Sequence, residues 1–196
     1  MLSHKQKLIK RFSDFFLSLI GIVFFIIPIF ILFIISTIIN KELGVFFQKR
    51  VGQNGKLFTI YKIKSMKSGE EPLITSFGAF IRKTKLDELP QIFNVLFGQM
   101  SIVGPRPDVL GYADKLKGSN KIILSVKPGL TSMATLKFVN EEELLKKQKK
   151  PIVYNNEVLW PQKVQLNIDY VKNWSLMNDF KIIFKTILLI FRINKI

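Results

Sequence analysis

The sequence contains no cysteine. Disulfides, thiol nucleophiles and thiolate metal sites are therefore excluded. Histidine is almost as scarce: His4 is the single one in 196 residues and it sits in the N-terminal tail. A Ser-His-Asp triad or a multi-His metal site is ruled out with it. Any nucleophile must be a carboxylate, a hydroxyl or a lysine amine. Acidic residues are also few, 14 against 30 Lys and Arg, which leaves a formal charge of +16. That excess suits an anionic membrane surface, phosphorylated ligands or nucleic acid without choosing among them. Four Tyr and two Trp against 18 Phe speak against a nucleic-acid binder that stacks bases on aromatic side chains along a basic stripe.

One long stretch lacks charge altogether. From Phe15 to Asn40 no side chain is ionisable, and Ile, Phe and Leu dominate around a central Pro28. A straight helix of that length would rise about 39 Å, enough to cross a hydrocarbon core of about 30 Å. Pro28 offers no amide hydrogen to the Phe24 carbonyl and its ring clashes there, so a kink dividing the run into two arms of roughly 20 Å is expected. Lys5, Lys7, Lys10 and Arg11 precede the run, and Lys41, Lys49 and Arg50 follow it. Basic flanks on both sides place both ends in the cytoplasm, so a re-entrant helix-break-helix entering one leaflet is preferred to a spanning helix. The run is too long for a signal-peptide core and no small-residue cleavage site follows it. Lys10 and Arg11 are expected to snorkel to lipid phosphates.

This division gives residues 1–41 as basic tail and membrane helix and residues 42–196 as one compact domain. Its fold class is expected to be α+β and predominantly helical, with one small β-hairpin and interfacial amphipathic helices. The hairpin runs from Gly44 to Lys64 and turns at Gly52-Gln53-Asn54-Gly55, where Asn-Gly is the turn signal. Alternation on the returning strand puts Lys62 and Lys64 on one side, where they either grip one anion or form a solvated strand end. Residues 67–75 are polar and broken by Gly and Pro, a surface loop, and a short helix follows over 76–83.

The densest punctuation is Thr84-Lys85-Leu86-Asp87-Glu88-Leu89-Pro90-Gln91, leading to an apolar stretch that stops at Gly98. Pro90 fits the first turn of a helix, so Asp87 and Glu88 stand at a helix N-terminus. There they serve as cap and dipole complement, with Thr84 and Asp87 resembling a weak capping box. The same place would keep Asp87 ionised for attack as a nucleophile or for holding magnesium. Next, Gly104-Pro105-Arg106-Pro107 stiffens a loop around one guanidinium whose fork matches phosphate oxygens or a surface carboxylate.

Further on, Asp108 to Gly118 reads as a short helix, Thr131 to Phe138 as extended chain and Asn140 onward as a capped helix with its lysines at the end. Pro161 opens a helix reaching Lys172. The last helix, about 178–193, mixes Ile, Leu and Phe with Lys181, Lys185 and Arg192; it suits either a membrane interface or burial against the domain.

In order along the chain, Lys10-Arg11 with Asp14, the apolar run with Pro28, Phe47-Gln48-Lys49-Arg50-Val51-Gly52 and Tyr61-Lys62-Ile63-Lys64-Ser65-Met66 are followed by Arg82 and Leu86-Asp87-Glu88-Leu89-Pro90-Gln91. Asn94-Val95-Leu96, Met100-Ser101-Ile102-Val103-Gly104-Pro105-Arg106-Pro107 and Lys127-Pro128-Gly129-Leu130-Thr131 complete the set. Together they resemble the bacterial sugar transferases, the small monotopic phosphoglycosyl transferases.

The resemblance implies transfer of a sugar 1-phosphate from a UDP-sugar to polyprenyl (undecaprenyl) phosphate, with release of UMP. This would be the first membrane step of a bacterial glycan, at the cytoplasmic face of the inner membrane. It gives the nucleophile's role to Asp87, with a covalent sugar-phosphate intermediate, and a supporting role to Glu88. Mg2+ is the implied cofactor, with Asp87 as its ligand. Phosphate binding falls to Lys62, Lys64, Arg82 and Arg106, the last held by Pro105 and Pro107, and the membrane break to Pro28.

The expected partners are the UDP-sugar, the polyprenyl phosphate, cytoplasmic-membrane lipids and, as an option, a second copy in a homodimer, with no nucleic acid. Departures from the family pattern are Ile27 where Ser usually precedes the membrane Pro, Ser132 and Thr135 after the Lys-Pro-Gly-Leu-Thr segment, and Asn167 in place of a frequent Asp. The competing classes are a non-catalytic basic scaffold at the membrane surface and a membrane-tethered nucleic-acid binder.

Overall fold

The computed structural model describes residues 1–69 and 72–193; Glu70 and Glu71 of the expected surface loop, and residues 194–196, lie outside the described residues. The chain begins with α1, His4–Asn40. Its start is fixed by a capping box: Ser3 Oγ accepts the Gln6 N–H at 3.2 Å, and Gln6 Oε1 accepts the Ser3 N–H at 2.8 Å. Its end is fixed by Lys41 in the left-handed region, φ 55°. Pro28 lies inside this one helix, with helical residues on both sides.

Both ends of α1 dock on the same domain. Near its start, Asp14 Oδ1 accepts Ser101 Oγ–H and the Ile102 N–H, each at 2.9 Å. Lys10 Nζ pairs with Asp179 Oδ2 at 2.7 Å, and Asp179 also accepts Tyr170 O–H at 2.7 Å and Trp174 Nε1–H at 3.0 Å. Arg11 donates from Nη1 to the Val95 carbonyl and from Nη2 to the Leu96 carbonyl, both at 2.7 Å. Lys10 and Arg11 therefore do not snorkel as expected. Carbonyls at a helix end and a buried carboxylate are fixed partners already in place, so the two side chains turn inward. At the far end, Ser36 Oγ donates to the Lys64 carbonyl at 2.6 Å and Asn40 Nδ2 to the same oxygen at 3.2 Å. Val23, Phe24, Ile27 and Ile38 stay exposed on the free flank.

The hairpin forms as expected, β1 Val45–Val51 antiparallel to β2 Leu57–Ile63 in register Val45↔Ile63 through Val51↔Leu57. Asn54 (φ 57°) and Gly55 (φ 76°) take the left-handed backbone that the turn needs. Inside the expected loop a two-residue ribbon forms, β3 Met66–Lys67 with β4 Leu73–Ile74. The helices α2, Ser76–Lys83, and α3, Gln91–Leu96, follow, and then β5 Ser101–Val103 runs parallel to β6 Gly129–Thr131.

Residues 108–118 do not form the expected helix. The Asp108 carbonyl instead accepts the Val51 N–H at 2.9 Å, prolonging the edge of β1, and Gly111 (φ 102°) turns the chain away, leaving a single 3-10 turn at Ala113–Lys115. The extended chain expected from Thr131 stops at that residue. Ser132 Oγ accepts the Thr135 N–H at 2.9 Å and starts α4, Met133–Lys137.

The helices α5, Glu141–Lys146, and α6, Pro151–Tyr154, lead through a π-turn at Asn155–Leu159 into α7, Trp160–Lys172, so the helical path begins ahead of Pro161. The widened turn sits where the proline cannot supply its amide hydrogen. The last helix, α8 Leu176–Ile193, buries Asp179 and Ile182 and leaves Met177, Phe180, Phe184, Ile187 and Leu188 exposed. Val103, Val126, Tyr170, Val171, Trp174 and Ile182 form one core cluster, and Ile60, Val95 and Met100 another directly beneath the hairpin.

Candidate active site

Between the hairpin, the β3–β4 ribbon and the turn before α3 lies a cleft of about 600 Å³. Strand alternation delivers its first cations: Lys62 and Lys64 point from the end of β2 into the cleft while Tyr61 turns the other way. Arg82 reaches in from the last turn of α2, and Lys85 from the left-handed residue (φ 59°) that breaks the chain between α2 and the next turn. That turn, Leu86–Glu88, is 3-10 and sets Asp87 and Glu88 into the cleft floor; Arg106 enters from the opposite loop.

The expected residues Lys62, Lys64, Arg82, Asp87, Glu88 and Arg106 are thus brought together. Pro105 and Pro107 do not line the cleft. They are buried behind it, where the Pro105 carbonyl accepts the Gly129 N–H at 2.8 Å and the Pro107 carbonyl accepts Arg50 Nη1–H at 3.4 Å. Sequence reasoning missed Lys67, Lys85 and Gln48 as lining residues. Lys85 lay inside the punctuated stretch 84–91 and Gln48 inside the motif at 47–52, whereas Lys67 carried no signal.

Glu88 is the hub of the cleft. Its carboxylate takes Arg106 in a fork, Nη1 to Oε2 at 3.2 Å and Nη2 to Oε1 at 2.5 Å, and Lys62 Nζ to Oε1 at 3.0 Å. Burial alone would favour the neutral acid. Arg106 and Lys62 outweigh it and hold Glu88 well below the usual carboxylate range. Lys64 is engaged elsewhere, by the Glu42 carboxylate and by Ser68 Oγ at 2.8 Å, so Lys62 and Lys64 line one cleft but grip different groups.

Asp87 behaves differently. It is 7% exposed, and no hydrogen bond from the described residues reaches its carboxylate. It caps nothing: α3 begins at Pro90 without a side-chain cap, and Thr84 instead ends α2, its hydroxyl donating to the Phe80 carbonyl at 2.8 Å. A helix terminus was expected to keep Asp87 ionised. Burial and the neighbouring Glu88 instead raise it to about 6, against the pull of Lys62, Lys85 and Arg82. α3 spans only six residues and Asp87 precedes its cap, so the dipole contributes little there.

A buried carboxylate with unused oxygens in a cleft where cations outnumber acids can attack, or ligate through, an incoming phosphate group. No group of three or more Asp, Glu, His or Cys side chains able to cage a metal occurs among the described residues. Mg2+ commonly takes one or two carboxylates plus substrate phosphates, and a free Asp87 with Glu88 already committed fits that donor set.

Residues 5–193 match the model of the family described as bacterial sugar transferase. The chain belongs to that family. It is 34% identical over 202 residues to the galactosyl transferase CpsE of Streptococcus agalactiae, covering 91% of this chain and 41% of that protein. With the undecaprenyl-phosphate galactose phosphotransferase of Salmonella typhimurium it shares 35% over 175 residues, 76% of this chain and 33% of the relative. A shorter relative, the putative undecaprenyl-phosphate N-acetylgalactosaminyl 1-phosphate transferase of Bacillus subtilis, is 40% identical over 120 residues, 56% of this chain and 67% of its own length. The chain of this family member spans about two fifths of the length of the first of these relatives. The cleft lies wholly within the matched residues.

Proposed function

We propose that this sugar transferase moves a sugar 1-phosphate from a UDP-sugar to undecaprenyl phosphate and releases UMP, as the first membrane step of a bacterial glycan. The observation that carries this reading is Asp87: a buried carboxylate free of hydrogen bonds from the described residues, on the floor of a cationic cleft, in a chain with no thiol and no histidine in the domain. The relatives' names supply the undecaprenyl-phosphate acceptor and the sugar 1-phosphate that is transferred.

In this mechanism a carboxylate oxygen of Asp87 attacks the phosphorus that bears the sugar. The bond from that phosphorus to the bridging oxygen breaks, and UMP leaves with the electron pair. A phosphate oxygen of the polyprenyl acceptor then attacks the same phosphorus, frees Asp87 and forms the lipid diphosphate sugar. Arg82 and the cleft lysines hold phosphate oxygens. Glu88 keeps the Arg106 fork in one orientation, so the remaining guanidinium donors face the reacting phosphate. Mg2+, held by Asp87 and donor phosphates, would supply charge neutralisation of the diphosphate.

The membrane reading follows from α1, the one described helix long and apolar enough to cross a membrane by length and composition. Asp14 and Asn40 are both bonded to the same domain. In this reading α1, bonded to the same domain near both ends, enters one leaflet and returns, and the exposed apolar face of α8 adds an interfacial contact. The cleft then lies on the cytoplasmic side, where UDP-sugars are found.

The deciding experiment incubates the full chain with UDP-sugars and Mg2+ in the absence of lipid acceptor. UMP release with a sugar-phosphate mass on the peptide containing Asp87 is expected, and release that needs the acceptor in a single step would overturn the covalent route.

A further inference from the structure

A second cavity, of about 260 Å³, lies against the catalytic cleft and has the opposite character. One wall is α1 on either side of Pro28, through Ile26, Ile29, Phe30 and Phe33; the other is Pro90 and Phe93 of α3 with the ends of β1 and β2. Three segments of backbone pass from cleft to groove within one or two residues. On β1, Phe46 lines the cleft and Val45 the groove; on β2, Lys62 faces the cleft and Tyr61 the groove, while Ile63 borders both. After the turn, Glu88 lines the cleft and Pro90 the groove. Charge and hydrocarbon therefore meet along one line.

A groove with apolar walls gives water too few partners to hold it. Phe24 and Ile27 are exposed on a different flank of α1 and do not line the groove. The occupant that satisfies both cavities is an amphiphile with a compact, highly charged anion at one end and a branched hydrocarbon directly attached.

Resting on the transferase reading above, we propose that this groove receives the first isoprene units of the polyprenyl phosphate acceptor, while its phosphate monoester sits among the cleft cations. A glycerophospholipid fits less well, because its diester carries less charge and its glycerol would lie at the junction, where Ile63 and Pro90 offer only hydrocarbon. The lipid-facing helix would thus serve as one side of the acceptor channel, and the loop after Asp87-Glu88 as the other.

The test uses the full chain in nanodiscs and a polyprenyl phosphate carrying a diazirine on its second isoprene unit. Cross-links are expected on the segment 26–33 and on Phe93. Ile26→Trp and Val45→Trp, which fill the groove from opposite walls, are expected to lower labelling at least tenfold and to raise the acceptor KM at least tenfold, with a far smaller change in donor KM. Ile27→Trp, on the lipid-facing flank, keeps the labelling and controls for disturbance of α1. Cross-links on α8 or on no defined segment, or equal competition by phosphatidylglycerol and unlabelled polyprenyl phosphate, would overturn the proposal. Labelling needs no turnover, so absence of UMP release would count against the transferase reading while the groove is still decided by the cross-links.

Discussion

Arg106 is gripped by Glu88 through both carboxylate oxygens, at 3.2 and 2.5 Å, across 18 residues of sequence. The pair fixes the plane of the guanidinium inside the cleft. Arg106→Lys keeps the charge and loses the fork. If the fork acts mainly in the transition state, the change costs on the order of 2 to 3 kcal/mol, or tens- to hundreds-fold in the rate of UMP release. A near wild-type rate for the lysine variant would reduce Arg106 to a partner of Glu88 alone.

Removing the other half of the pair has a different signature. Glu88→Ala leaves Lys62 and Arg106 facing each other across a buried position without a counter-charge. Lys62 and Glu88 are largely buried while 44% of the Arg106 side chain is exposed, so solvent screening keeps the loss below the about 3 to 5 kcal/mol of a fully buried pair, and a moderate drop in thermal midpoint is expected alongside lost activity. An unchanged midpoint would show that the three groups are solvated rather than interlocked.

For Asp87 stability and activity should move in opposite directions. Its carboxyl is raised from 3.8 to about 6 by burial and by Glu88, so folding disfavours the ionised form. That penalty, up to about 3 kcal/mol at 1.36 kcal/mol per pKa unit, is in force above pH about 6 and disappears as the pH falls below 3.8. At pH 7.5 without divalent metal, Asp87→Asn is therefore expected to keep or raise the thermal midpoint while UMP release falls by several orders of magnitude. An active Asn variant would remove Asp87 from the attacking role.

The same titration sets a pH profile. Attack needs the carboxylate, so kcat/KM for UMP release should fall tenfold per pH unit below about 6, as the free enzyme's Asp87 takes up its proton. Lys62, Lys85, Arg82 and Glu88 are the charges that tune it, and Lys85→Ala should shift the break upward. Measuring the donor half-reaction keeps the acceptor's own phosphate titration out of the profile. A rate independent of pH between 5 and 7 would exclude Asp87 as the titrating nucleophile.

The chain's lack of cysteine allows a direct test of topology. Lys5 and Lys49 are exposed on either side of the apolar run. Lys5→Cys and Lys49→Cys should both resist a membrane-impermeant thiol reagent in intact cells and both react after permeabilisation. Labelling of position 5 alone would establish a spanning helix.

The sequence by itself determined what depends on neighbours a few residues apart. The charge-free run made α1 apolar, Asn54-Gly55 closed the hairpin, Ser76–Lys83 formed its helix, and the motifs from Lys62 to Arg106 named most of the cleft. Only the tertiary structure decided how those residues are used. Ser101 and Ile102 claim Asp14 from 87 and 88 residues away, Asp179 claims Lys10 from 169, and these contacts turn an expected interfacial tail into a docked helix. Asp108 gives its carbonyl to Val51 instead of starting a helix. Asp87, readable as a cap, is buried beside Glu88 and left without a hydrogen bond from the described residues. The physical reason is the same in each case. Propensity and turn chemistry are settled by the local chain, whereas desolvation and the choice among competing charged partners depend on which distant surfaces the core packs together.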